Sequence, residues 1–131
     1  MDKACLRTRL SSFMQSQAGS PRVLSVASEP RRAHIVLGVS AGLCWFRGHF
    51  PHKPILPGVV QLHWAILACR ALYGFTGSPK EIKRLKFKKI VEPPAEIELA
   101  ITRLGEREAK FAISSTGSHH CEGTIVFPEV E

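Results

Sequence analysis

The chain has 131 residues, of which 44% are hydrophobic and 22% charged, and a formal net charge of +7. This length suits one domain that buries its own core, and the composition argues against global disorder. The basic balance suits an acidic partner, whether nucleic acid, anionic lipid or an acidic protein, and does not choose among them.

The first twenty residues are basic, lack an apolar run of signal-peptide length, and read as a short helix or a frayed arm on a single domain spanning 1–131. RVLSVAS (22–28) and RRAHIVLGVS (31–40) are rich in β-branched residues and flank Glu29-Pro30, which predicts two strands joined by a turn. Residues 44–58, CWFRGHFPHKPILPG, set Pro51, Pro54 and Pro57 three apart between Gly48 and Gly58. Neither a helix interior nor a central strand tolerates that pattern, so a rigid extended loop is expected.

From Gly58 to about Tyr73 apolar residues fall on nearly every face, which predicts a helix buried all round, with Pro57 in its first turn and Gly74 as its stop. Strand character follows at 80–92, where the alternation slips phase once, and at 95–104, 107–116 and 121–127. The expected fold class is α+β, an antiparallel sheet wrapped around one central buried helix. The far side of such a helix still needs cover, so a dimer is expected.

The longest apolar stretch, around 55–72, is broken by Gln61, His63 and Arg70 and is too short for a membrane span. Cys5, Cys44, Cys69 and Cys121 form no CxxC pair and read as small buried thiols in a reducing cytoplasm. A metal triad of His49, His52 and His63 is disfavoured by the prolines around His52, and no metal is expected. In His119-His120-Cys121 the side chains of a strand would alternate faces, so an edge or turn element is the expectation there.

The unbroken stretch Gly48-His49-Phe50-Pro51-His52-Lys53-Pro54-Ile55-Leu56-Pro57-Gly58-Val59 closely resembles the GHFPxxPxxPGV signature of the β-hydroxyacyl-acyl-carrier-protein dehydratases, which have the hotdog fold. FKKIVEPPAEIEL (87–99) is similar to the family's strand after the helix, with Val91-Glu92-Pro93-Pro94-Ala95 where V-x-P-G-D is usual. The resemblance implies a lyase that converts a carrier-bound β-hydroxyacyl thioester to the trans-2-enoyl thioester without metal or organic cofactor. It also implies a homodimer whose two sites each pair His49 of one subunit with the residue at position 63 of the other.

Dehydration needs a base for the α-proton, an acid for the departing hydroxyl and donors for the thioester oxygen. His49 is the expected base, because its unperturbed pKa lies near neutrality. The Gly58 N–H, unpaired at a helix start and free of a β-carbon, is the expected thioester donor. The family has Glu or Asp fourteen positions after its histidine; here that position is His63. Three readings stay open: His63 acts as general acid, it orients water or substrate, or the chain has lost activity and only binds acyl chains.

Trp45, Phe46, Phe50, Pro57, Val59, Gln61 and Trp64 are candidates for lining a substrate channel, although aromatic residues beside a core helix also serve simple packing. Arg70, Arg84, Lys86, Lys88 and Lys89 form the candidate docking patch for an acidic acyl carrier protein. No nucleic-acid motif accompanies these basic residues, which argues against nucleic acid. A non-catalytic acyl-binding hotdog module and a hotdog thioesterase are the alternatives in other functional classes.

Overall fold

The computed structural model describes residues 21–39, 56–92 and 95–129, together with Thr8, Leu10 and Ser12. Strands β1 (Arg22–Ser28) and β2 (Arg32–Val39) precede helix α1 (Gly58–Tyr73). Strands β3 (Glu81–Phe87), β4 (Ala95–Arg103), β5 (Glu108–Ser115) and β6 (Ser118–Val126) follow it. The strands form one six-stranded sheet in the order β1-β2-β4-β5-β6-β3, and each neighbouring pair is antiparallel.

The inner face of the sheet follows the alternation of the sequence. Ala33, Ile35, Leu37 and Val39 of β2 point inward with Ile97, Leu99 and Ile101 of β4 and Ala109, Phe111 and Ile113 of β5. His34, Glu96, Glu98 and Lys110, one residue out of phase, are exposed. Burying each large member of this set stabilises the fold by about 1.5–3 kcal/mol. Helix α1 lies across β4, β5 and β6. Its fully buried Ala65 and Ala68 keep the contact close, while Trp64, at 1% exposure, supplies the bulk. This sheet packed against helix α1 is the hotdog arrangement.

The helix ends where its sequence stops it. Gly74 takes the left-handed conformation (φ 70°) and donates its N–H to the Arg70 carbonyl at 3.1 Å. Beyond it Phe75 packs on Phe127, ring centroids 4.9 Å apart, and the Arg103 guanidinium lies over the Phe75 ring. From the N-terminal arm Leu10, in helical conformation, is fully buried in the core.

Three expectations are corrected. Helix α1 is not buried all round within one protomer: its buried stripe runs through Val60, Gln61, Trp64, Ala65, Ala68, Cys69 and Ala71, while Val59 is 70% exposed and His63 is exposed. The sheet supplies cover on one side only.

The strand expected over 80–92 stops at Phe87. The phase slip in its sequence is a bulge between Lys83 and Lys86, where Arg84 has φ 53°. After Phe87 the chain leaves the β6 ladder, and Val91 re-pairs in an isolated bridge with Leu56.

The third correction concerns His119-His120-Cys121, which occupy neither an edge nor a turn. Strand β6 begins at Ser118 and runs between β5 and β3: His119 pairs with Ser114 of β5, and Cys121 pairs with Ile113 of β5 on one side and Phe87 of β3 on the other. The turn at Thr116-Gly117 immediately before it, with Gly117 at φ 72°, lets the strand start three residues earlier than its apolar run suggests.

Cys69 and Cys121 are free and buried. Burial pushes the Cys69 thiol up to about 12, and burial together with the Glu122 carboxylate pushes Cys121 to about 11.

Candidate active site at the start of the helix

The amino end of α1 is built by proline and left open. Pro57, at φ −59° and ψ 143°, precedes the helix and offers no side-chain cap. Its carbonyl accepts from both Val60 N–H at 3.1 Å and Gln61 N–H at 3.3 Å. The N–H groups of Gly58 and Val59 come before the first intrahelical bond and aim outward with the positive end of the helix dipole. Leu56 anchors this start: its N–H donates to the Val91 carbonyl at 2.9 Å.

That anchoring brings the segment after β3 alongside the helix start and leaves a cleft of about 360 Å³ between them. Pro57, Gly58, Val59 and Gln61 form one wall, and Phe87, Lys88, Lys89, Ile90 and His120 form the other. A β-carbon on Gly58 would fall 2.5 Å from the Phe87 ring, so the glycine is what lets the ring and the helix start approach.

His120 holds the second wall in place. Its Nδ1 lies 2.9 Å from the Lys89 carbonyl, and its backbone carbonyl accepts from Lys88 N–H at 2.9 Å. A carbonyl only accepts, so Nδ1 carries the proton in the neutral ring, and Nε2 accepts from the Ser115 hydroxyl at 2.7 Å. The ring is 6% exposed, and both of its nitrogens are satisfied.

Basic side chains border this wall. Lys88 pairs with Glu122, and Lys89 Nζ donates to Ser118 Oγ at 3.2 Å. The hydrogen bond from Lys88, followed by the charges of Lys88, Lys86 and Lys110, holds the Glu122 carboxyl below the ordinary range. Arg84 sits exposed at the bulge of β3. Arg70 belongs elsewhere: it lies in the last turn of α1, about 18 Å along the axis from Gly58 at 1.5 Å per residue, with Nη2 donating to the Gly77 carbonyl at 2.6 Å.

Of the remaining sequence candidates, Gly58, Pro57, Val59 and Gln61 meet in the cleft, whereas Trp64 is part of the core and does not line it. His63 is exposed on α1 and is not among the cleft residues. His49, His52, Trp45, Phe46 and Phe50 lie outside the described residues. Phe87 and His120 line the cleft without having been singled out for it in the sequence. Neither carries a local motif; each arrives through the pairing of β3 with β6, where Phe87 sits opposite Cys121.

Comparison with known proteins identifies a family. Residues 25–124 match the ApeI-like family, described as ApeI dehydratase. The 3-hydroxyacyl-acyl-carrier-protein dehydratase FabZ of Caldicellulosiruptor bescii is 30% identical over 117 residues, covering 81% of this chain and 83% of the relative. The FabZ of Novosphingobium aromaticivorans is 37% identical over 93 residues, which span 62% of this chain and 58% of the relative's length. Among solved structures, the dehydratase heterocomplex ApeI:P from Xenorhabdus doucetiae superimposes with a TM-score of 0.77 at 27% identity, covering 84% of this chain and 99% of that one. On the strength of the matched span and these relatives, the chain belongs to the ApeI-like dehydratase family.

Proposed function

We propose that this chain dehydrates a β-hydroxyacyl thioester carried on an acyl carrier protein, giving the trans-2-enoyl thioester and water. The observation that carries the reading is the uncapped start of α1 opening into a cleft at Gly58. Two backbone N–H groups and the helix dipole there suit the oxygen of a thioester as it gains negative charge. The FabZ relatives support the carrier-bound substrate class.

In this mechanism His49 removes the α-proton, and the electron pair moves toward the thioester oxygen, held by the Gly58 N–H. The pair returns to form the α–β double bond as the β-hydroxyl leaves with a proton from His63, and water departs. No metal or organic cofactor enters these steps. His63 on the open face of α1 fits a site completed by a second subunit. That partner is a second copy of this chain in our reading; the ApeI:P heterocomplex makes a different chain the alternative. Lys86, Lys88, Lys89 and Arg84 are proposed to meet the acidic carrier protein, with Arg70 about 18 Å along the helix axis from Gly58.

The test is a mass-spectrometric assay for loss or gain of water on a panel of carrier-bound β-hydroxyacyl and enoyl chains. Wild type should turn over and His49→Ala should not, while His63→Glu should retain or raise the rate. Turnover by His63→Glu with none by wild type would make the natural chain an acyl-binding module. Release of free acid would make it a thioesterase.

A further inference from the structure

Gln61 is a polar residue in an apolar setting. It lies one turn into α1, flanked in the buried stripe by Val60 and Trp64, and is 3% exposed. The residue is one of those that line the cleft. Its carboxamide oxygen Oε1 is buried and has no hydrogen-bond partner. A buried acceptor left unpaired is a standing cost to the fold, and an apolar residue of the same length would avoid it. A ligand that brings a donor into the cleft removes that cost.

The cleft wall thus carries two kinds of group in a fixed order. At the helix start are the free donors, the N–H groups of Gly58 and Val59; three residues on, about 4.5 Å of backbone rise along the axis, is Gln61, which carries the unpaired acceptor. A β-hydroxyacyl thioester presents the complement. Its carbonyl oxygen accepts, and its hydroxyl, on the second carbon from that carbonyl, donates. We propose that Gln61 is the substrate-recognition residue for the β-hydroxyl, its Oε1 accepting the hydroxyl proton while the thioester oxygen sits on the helix start. This assignment rests on the dehydratase reading given above.

Recognition of this kind separates substrate from product. The enoyl thioester has no hydroxyl, so it leaves Oε1 unpaired and binds without that contact. A saturated acyl chain is in the same position. The amides of a pantetheine arm are the competing source of a donor, but they are common to every carrier-bound chain and would give no preference for the hydroxylated one.

The experiment uses a pair of inert pantetheine analogues in which an amide replaces the thioester, one bearing a β-hydroxyacyl chain and the other the saturated chain of equal length. Their dissociation constants are measured on wild type and on Gln61→Met, which keeps the length and removes the acceptor. Wild type should favour the hydroxylated analogue by about tenfold, and Gln61→Met should bind both at the level of the saturated one. Gln61→Met should also unfold at the same or a higher temperature than wild type, because the unpaired oxygen is gone. Should Gln61→Met be poorly folded, Gln61→Glu, which retains an acceptor, is required to keep the preference.

Equal weakening of both analogues in Gln61→Met would make Gln61 a structural or pantetheine-binding residue and overturn the proposal, as would an unaltered preference. Failure of the dehydratase reading is distinguishable: wild type would then show no turnover in the water-loss assay, whatever the analogues do.

Discussion

The Phe87 ring occupies the space that a β-carbon on Gly58 would need, with its Cε1 2.5 Å from that position. A residue at the end of β3 and a residue at the start of α1 thereby set the width of the cleft between them. Phe87 is 52% exposed, so it can be displaced at modest cost to the fold. Gly58→Ala should therefore lower kcat/KM by about 10²-fold, the scale of a lost oxyanion donor, with little change in melting temperature. Gly58→Ala/Phe87→Ala should recover part of that loss by restoring room. Steady-state kinetics on both variants checks this; a fully active Gly58→Ala would mean that close approach at the helix start is not needed.

His120 should matter for stability through the Lys89 carbonyl and the Ser115 hydroxyl that it satisfies. In His120→Phe both groups lose their partner while the ring volume stays, and the expected loss is about 1–3 kcal/mol in urea unfolding. The cleft wall at Lys88–Ile90 should also loosen, visible as faster amide exchange at Lys88. Exchange at Lys88 unchanged from wild type would show that other contacts hold this wall.

Arg84 adopts φ 53° at the β3 bulge, a conformation that costs a side chain bearing a β-carbon. Arg84→Gly should stabilise the protein by about 0.5–1 kcal/mol, and Arg84→Val should destabilise it by at least as much. Chemical denaturation of the two variants reads the sign directly. If Arg84 also meets the carrier protein, both variants should slow association equally, whatever their stability.

The buried thiols give stability an alkaline edge. Folded Cys69 and Cys121 titrate at about 12 and about 11, above the ordinary thiol value of 9.0. Below pH 9.0 folded and unfolded thiols are both protonated, and the stability is fully present. Above it the unfolded chain ionises first, so stability falls as pH rises toward those folded values. Iodoacetamide should leave both thiols unlabelled at pH 8 in native protein and label them in denaturant; rapid native labelling of Cys69 would contradict its burial.

Glu122 works in the opposite direction. Its carboxyl is held below the ordinary value of 4.5, first by the hydrogen bond from Lys88. Its contribution is therefore present above pH 4.5 and is lost as pH falls through the lower folded value. Lys88→Ala should raise the Glu122 titration point in an NMR pH series. An unmoved titration would assign the shift to Lys86 and Lys110.

Elements with a strong local period are legible in the sequence itself. The alternation of 95–104 is strand β4, with Ile97, Leu99 and Ile101 inward, and the dense apolar run after Gly58 is α1 with its stop at Gly74. Even the bulge of β3 was visible as a slip in phase at 80–92. The depth of burial around α1 was not legible, because an apolar surface on a helix reads the same whether the sheet or another subunit covers it.

What the sequence alone carried was a contiguous stretch: the proline-spaced segment with His49, the glycine that begins the helix, and His63 five residues on. Tertiary structure alone decided what faces that glycine. Phe87, Lys88, Lys89 and His120 are 29 to 62 positions away in the chain and reach Gly58 because β3 pairs with β6 at the edge of the sheet and Leu56 bridges to Val91. Register between strands is a long-range balance of burial and hydrogen bonding, and no window of neighbouring residues contains it.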